Sequence, residues 1–423
     1  MSDTKATLEA RTIQVDDKVY SAKALADEHP GGDLFIKAFA GRDATEAFMS
    51  YHRRRFPHDK MKHTAIGKAV SIKSEDADKD YIELCEIIDK VLPRAKSFAP
   101  TSYFVKAFTI IAIAVGLELY IHLTRSYKWY LTAVLGLVYA FIGLNIQHDA
   151  NHGAISRNPR VNRLLGLTQN WIGGSAVDWI HQHVVQHHVH TNDLHHDPDI
   201  AGNTFIRLNP LQPLLHFHVV QHIYIFLLIC GFGFSVVFTS MQHLYTGMHK
   251  SRMSEMLAGY RVREFLATFP FFLRWFVLPI VQVPSVQTAL NVAPMFVTGG
   301  FYLAFFFVIS HNFVGVHMFD KTKTDKKKES FLYSQVASSC NVGGPWLAFI
   351  NGGLNYQIEH HLFPRISHTH YPKIAPVVRE FCRKKGIPYV HFPTISENMA
   401  SCVNHLYKFG NDKNPYPSVK AWK

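Results

Sequence analysis

The stretch Gln147-His148-Asp149-Ala150-Asn151-His152 decides how this chain folds. It follows directly on Trp129 to Ile146, which carries no charge and is close to the ~20 residues a bilayer-spanning helix needs. His148 and His152 stand at i and i+4, so on a continuing helix they share one face at the membrane surface. Upstream, Tyr103 to Leu123 is apolar except for Lys106, Glu118 and His122. A short basic link (Arg125, Lys128) joins the two spans into a hairpin, with Tyr103, Tyr127, Trp129 and Tyr130 expected at the interfaces.

Downstream the same chemistry recurs. His183-Val184-Val185-Gln186-His187-His188 repeats the i, i+4 pair and adds a neighbour, and Gln357-Ile358-Glu359-His360-His361 lies beyond a second apolar zone. That zone holds three candidate spans near 223–241, 265–283 and 290–310. The histidine clusters can share a site only if an even number of spans separates them, so one candidate must lie in the interface or re-enter. Arg274, Pro270 and Pro279 weaken 265–283, whereas the basic stretch Lys250 to Arg263 prefers the cytosol and argues for demoting 223–241. Four spans are expected.

Imidazole is a natural iron ligand, and the seven histidines of these clusters are too many for one metal but suit two. A single pair could be a buried or surface accident; three clusters at the ends of apolar helices point to function, because polar groups there are costly. Five cysteines without Cys-x-x-Cys spacing exclude a disulfide scaffold or a cysteine zinc site. The net charge of +12 is scattered, its one dense run being Lys321, Lys323 and Lys326 to Lys328, expected as a loop near anionic lipids. With no basic helix interleaved with aromatics, no nucleic-acid partner is expected. The first thirty residues are polar, so the N-terminus is expected to stay cytosolic.

Before the charge run Ser74 to Asp80 the composition is that of a small soluble domain. Glu28-His29-Pro30-Gly31-Gly32 places a histidine at a turn whose glycines let the backbone approach a partner closely. His52 follows 23 residues on, and two such histidines can ligate opposite faces of one haem iron. His58 and His63 are expected to be exposed and inert. This segment, roughly 8–75, resembles cytochrome b5.

The three histidine boxes, over residues ~100–395, are similar to those of the membrane-bound fatty-acid desaturases. A fused cytochrome b5 domain and Gln357 at the head of the third box resemble front-end desaturases in particular. The resemblance implies a mainly α fold: a small α+β haem domain (1–80), a linker (81–100) and an all-α multi-pass membrane domain (101–423) with about four transmembrane helices. It implies haem b on His29 and His52, and two non-haem iron ions on His148, His152, His183, His187, His188, His360 and His361. His311, at the end of the last span, matches the position of one further ligand, against the plainer reading of a helix-end histidine facing headgroups. Gln357 either ligates or orients an imidazole or a bound water, and Asp149, Asp197 and Asp199 are candidates to accept ligand N–H bonds. His181, His190, His195 and His196 are expected outside the ligand set, Glu118 and His122 at the interface, and the stripe Phe301, Phe305, Phe306, Phe307 against lipid.

The implied activity is O2-dependent insertion of a cis double bond between an existing double bond and the carboxyl end of a polyunsaturated fatty acyl chain. Electrons come from NADH-cytochrome b5 reductase through the haem, at the cytosolic face of the endoplasmic reticulum membrane among its lipids. Residues 147–154 and Asp197-Pro198-Asp199 resemble enzymes acting at carbon 5 of twenty-carbon chains, which implies delta-5. Delta-4, delta-6 and delta-8, a coenzyme A or phospholipid carrier, a sphingolipid long-chain-base substrate and an acyl hydroxylase stay open. A metal transporter should carry its ligands mid-membrane, and a pure haem electron carrier needs no second metal site.

Overall fold

The computed structural model describes residues 9–69, 78–319 and 330–413; the lysine run lies outside them. The N-terminal unit is a four-stranded sheet in the order β3-β1-β2-β4, formed by β1 (Thr12–Val15), β2 (Lys18–Ser21), β3 (Arg42–Asp43) and β4 (Ala65–Lys68). Strands β1 and β2 pair antiparallel through a tight turn, β3 joins β1 in parallel, and β4 runs antiparallel to β2. Helices α1 (Ala22–Glu28), α2 (Leu34–Phe39) and α3 (Thr45–His52) carry the histidine turn and the second histidine. His58 is not exposed and idle: it bridges the Tyr20 hydroxyl (2.5 Å) and Asp16 (2.8 Å), closing the sheet; His63 is exposed and pairs with Glu28.

The stretch 81–100 is more than a tether. Helix α4 (Lys79–Val91) buries Tyr81, Leu84, Cys85 and Ile88 at helical spacing in a core shared with Phe331, Leu332 and Leu362. The Tyr81 hydroxyl donates to the Leu362 carbonyl (2.7 Å) just past the third histidine box.

Among the described residues five helices are long and apolar enough to cross a bilayer: Arg94–Leu123, Trp129–Asn151, His216–Thr246, Glu255–Gln282 and Val286–His311. Within the first two, α5 (Thr101–Leu123) and α6 (Trp129–Ile142) form the expected hairpin. Helix α6 lies parallel to Val286–His311 at close range. Gly136 packs on the Met295 carbonyl, Gly299 on the Gly136 backbone, and Thr298 Oγ1 donates to the Ala133 carbonyl (2.7 Å). Small residues let backbones approach in a membrane, where packing rather than the hydrophobic effect joins helices. This contact brings the C-terminal ends of both helices, with His148 and His311, to one level.

The third apolar helix does not cross. Its start is tied to the histidine side by Gln221, which donates to the Leu406 carbonyl (2.9 Å), and its end by His243, which pairs with Asp178 (3.1 Å) five positions before His183. One 3-10 turn at Ile229–Gly231 interrupts the α-winding midway, and Gly233 packs on the Phe296 backbone. Glu255–Gln282 does cross, from Glu264, held by Asn170 (2.8 Å), to Gln282, which accepts from Tyr127 (2.5 Å) at the far turn of the hairpin. Four crossings therefore satisfy the parity requirement, and 223–241 is the odd segment, as the basic stretch after it argues.

Several interface expectations fail because the helices use these groups on each other. Tyr103 and Tyr127 are buried, whereas Trp129 and Tyr130 are exposed. Glu118 does not reach the interface: Arg274 donates to it (2.5 Å), as does the Tyr139 hydroxyl, and Trp275 Nε1 donates to Tyr139 (3.2 Å). His122 contacts the Tyr127 hydroxyl (2.9 Å). Of the phenylalanine stripe, Phe306 is buried and Phe307 lines an internal cavity.

Candidate active site

The turn in Pro30-Gly31-Gly32 has a physical cause. A side chain at Gly31 would collide with the His29 ring, and Gly32 sits at φ +85°, where an L side chain is strained. His29 Nδ1 bonds the Gly32 carbonyl (2.7 Å) and His52 Nδ1 the Phe48 carbonyl (2.9 Å), so each ring presents Nε2. Burial lowers His29 and drives His52 down to about 3, keeping both rings neutral as ligands must be. The ring centres stand 6.1 Å apart. An iron about 2 Å from each nitrogen, with each ring centre about 1 Å further back, requires about 6 Å. Leu25, Phe35, Phe39 and Phe48 line the surrounding cavity of about 1160 Å³, which also reaches His152 and Arg365 of the membrane domain. The pair fits a bis-histidine haem.

The boxes converge into two buried groups, His148, His152, His183 and His360 in one and His187, His311 and His361 in the other. Local winding explains the partition. In the first box His148 and His152 share a face, as α-helical spacing dictates. Ile180–His187, however, is a π-helix, whose wider turn brings residues five apart onto nearly the same face as those four apart. His183 and His188 thus meet, Nε2 to Nε2, at 3.1 Å, while His187 turns into the second group. The i, i+4 pair of this box, its rings stacked 5.3 Å apart, is thus shared between the two groups. His188 also lies 3.0 Å from His360 Nε2 and stacks on the His361 ring at 4.4 Å, standing at the seam between the groups. In the third box Gln357 and His361, one turn apart, face the second group, with Gln357 Nε2 at 2.9 Å from His311 Nε2 and 3.1 Å from His361 Nε2. His311 belongs here rather than facing headgroups.

These distances suit metal ions. Two imidazole nitrogens each about 2.1 Å from one ion and at right angles lie about 3.0 Å apart. His148 Nε2, His152 Nε2 and Gln357 Oε1 are buried without a hydrogen-bond partner, which is costly unless something else binds them.

Outer partners fix the rings. His187 Nδ1 lies against two carboxylates that can accept from it, Asp197 (3.1 Å) and Asp199 (3.3 Å). His361 Nδ1 meets Gln335 (2.9 Å), His311 Nδ1 the Ser338 carbonyl (3.0 Å), and His360 Nδ1 Tyr371 (3.3 Å). Asp149 instead holds His368 (2.9 Å), with His148 Nδ1 3.9 Å away. His181, His190, His195 and His196 join neither group; His181 is buried against Gln186 and the Ser251 carbonyl. Sequence reasoning missed Gln335, Ser338, Tyr371 and Tyr51, whose hydroxyl contacts His152 Nδ1 (2.8 Å), and also Trp179, whose ring lies 4.4 Å from that of His183. Only Trp179, one turn before His183, had a local signal.

A cavity of about 350 Å³ opens beside both groups and descends between the helices, past Phe307, Gly143 and Ala140 to Tyr139. Away from the histidines and carboxylates its lining is mostly apolar.

Comparison with known proteins agrees with this geometry. The fatty acid desaturase family model matches residues 127–393, and the cytochrome b5-like heme/steroid binding domain model matches residues 6–70. An acyl-lipid (7-3)-desaturase of Rebecca salina is 46% identical over 402 residues, 94% of this chain and 90% of the relative. One from Diacronema lutheri is 44% identical, covering 96% and 92%. An acyl-lipid (8-3)-desaturase B of Dictyostelium discoideum is 30% identical, covering 95% and 91%. The chain belongs to the fatty acid desaturase family: it is a membrane oxidoreductase of the front-end type with a cytochrome b5-like domain fused to it, and its cofactors are haem b and two non-haem irons.

Proposed function

We propose that the enzyme inserts a cis double bond at carbon 4 of an acyl chain already unsaturated at carbon 7. The observation that carries this is the 46% and 44% identity, over nearly the whole chain, to two enzymes named (7-3), which reads as a new bond three carbons toward the carboxyl from carbon 7. Action at carbon 5, the delta-5 expectation, is the second reading, favoured by relatives named (8-3) or Delta(5) at 28% to 30% identity.

In this reading His148, His152, His183 and His360 hold one iron, His187, His311 and His361 the other, with His188 between them and Gln357 beside the second. The bound irons supply the O2 activation and hydrogen removal from unactivated methylenes that side chains cannot perform. Asp197, Gln335 and the Ser338 carbonyl keep Nδ1 of their histidines engaged and Nε2 directed at the ion. The cavity above Tyr139 holds the methyl end, and the depth between headgroup and irons selects the carbons that react. His29 and His52 hold haem in residues 1–80, 81–100 connects, and 101–423 forms the desaturase. NADH-cytochrome b5 reductase supplies the haem, at the cytosolic face of the endoplasmic reticulum.

The test is expression in a yeast lacking polyunsaturated fatty acids, fed separately with acids whose first double bond lies at carbon 7 or at carbon 8. A new bond at carbon 4 in the first case is the expected product by gas chromatography–mass spectrometry. Conversion of the second alone, to a bond at carbon 5, replaces this reading, and desaturated long-chain bases alone would overturn the acyl substrate.

A further inference from the structure

Tyr51 directly precedes His52 in the chain, yet its side chain leaves the haem domain and enters the membrane domain. Its hydroxyl lies 2.8 Å from Nδ1 of His152, whose Nε2 faces the first histidine group without a hydrogen-bond partner. The other outer contacts described for the cluster, Asp197, Gln335, Ser338 and Tyr371, all come from the membrane domain itself. His152 is thus the cluster histidine, among the described residues, whose outer nitrogen is held by the haem domain. The contact is embedded: Phe35 packs 5.5 Å from the Tyr51 ring, and α2 lies against Val177, Ile180 and Val184 of the second-box helix.

We propose that Tyr51 is the positioning residue that couples the haem to the iron pair, through one continuous connection from His52 along the backbone to Tyr51 and across its hydrogen bond to His152. The proposal rests on His52 and His152 being haem and iron ligands. Electronic coupling falls steeply through space and far less along bonds and hydrogen bonds, and the Tyr51–His152 contact supplies a connection of the second kind. One electron moves per event: the haem iron goes from ferrous to ferric and the acceptor iron from ferric to ferrous, with no bond made or broken.

The test uses the full-length enzyme in lipid nanodiscs and compares Tyr51→Phe, Tyr51→His and His152→Ala with the wild type. Iron per chain, the reduced-minus-oxidised haem spectrum, the haem midpoint potential and the rate of haem reoxidation after rapid mixing with O2 and substrate are measured. Tyr51→Phe is expected to keep both metals and the haem potential but to slow reoxidation about tenfold, with partial recovery in Tyr51→His, which restores a hydrogen-bonding ring. Reoxidation within about twofold of wild type in Tyr51→Phe, or loss of iron from it, overturns the proposal, the second because Tyr51 would then be a metal-site clamp. If His152→Ala retains all its iron, the ligand reading itself has failed; if His152→Ala loses iron while Tyr51→Phe reoxidises normally, only the coupling has.

Discussion

Replacing Asp197 by Asn changes almost no volume and removes one charge, which makes it a sharp probe of how the second iron is held. Asp197 is 1% exposed. One carboxylate oxygen takes His187 Nδ1 (3.1 Å) and the Asp199 backbone N–H (3.0 Å), while the other takes His187 Nδ1 (3.2 Å) and the Asn192 N–H (2.7 Å). An amide offers only one accepting oxygen, so a buried N–H loses its partner at about 1–3 kcal/mol, and exchanging a charged for a neutral acceptor at His187 costs about 1 kcal/mol more. The first cost falls on folding; the second falls on iron affinity, where about 1.4 kcal/mol is tenfold. The assay is iron per chain after dialysis against a chelator series, with the haem spectrum as internal control. Asp197→Asn should release iron at about tenfold lower chelator concentration with the haem spectrum unchanged. Asp199 lies 3.3 Å from the same nitrogen and is the natural substitute, so the double variant with Asp199→Asn should shift further. Chelation curves of both variants superimposable on the wild type would mean that neither carboxylate supports the second iron.

Other outcomes follow from the same geometry. His29→Ala should abolish the haem absorbance while iron stays bound, because the two centres use separate ligands; loss of both metals contradicts a two-centre enzyme. Arg274→Ala leaves Glu118 buried without its cation and should cost about 3–5 kcal/mol, read as a lower thermal midpoint in detergent, whereas the double change Glu118→Leu with Arg274→Leu should recover part of it. Gly136→Val places a side chain against the Met295 carbonyl and should displace His148 from His311, lowering both thermal stability and iron content. Gly116→Ala in the same hairpin, where an added methyl meets open space, should leave both as they are.

Which side chains are candidates to meet metal was legible along the chain. Histidine spacing at helix ends and the His29-Pro30-Gly31-Gly32 turn are local patterns, fixed by helical pitch and by glycine's freedom, so they can be read along the chain. Parity over the apolar blocks narrowed the topology to four crossings for the same reason. Which block turns back was settled by folding, since that depends on Gln221 and His243 finding partners far away in the chain. The tertiary structure alone divided the histidines into two groups, because the π-winding of Ile180–His187 left no mark in their spacing. It alone placed Glu118 on Arg274 and Tyr51 on His152, 156 and 101 positions apart. Such contacts have no period in the sequence; they exist because folding brings a polar group that cannot stay buried alone against one that satisfies it.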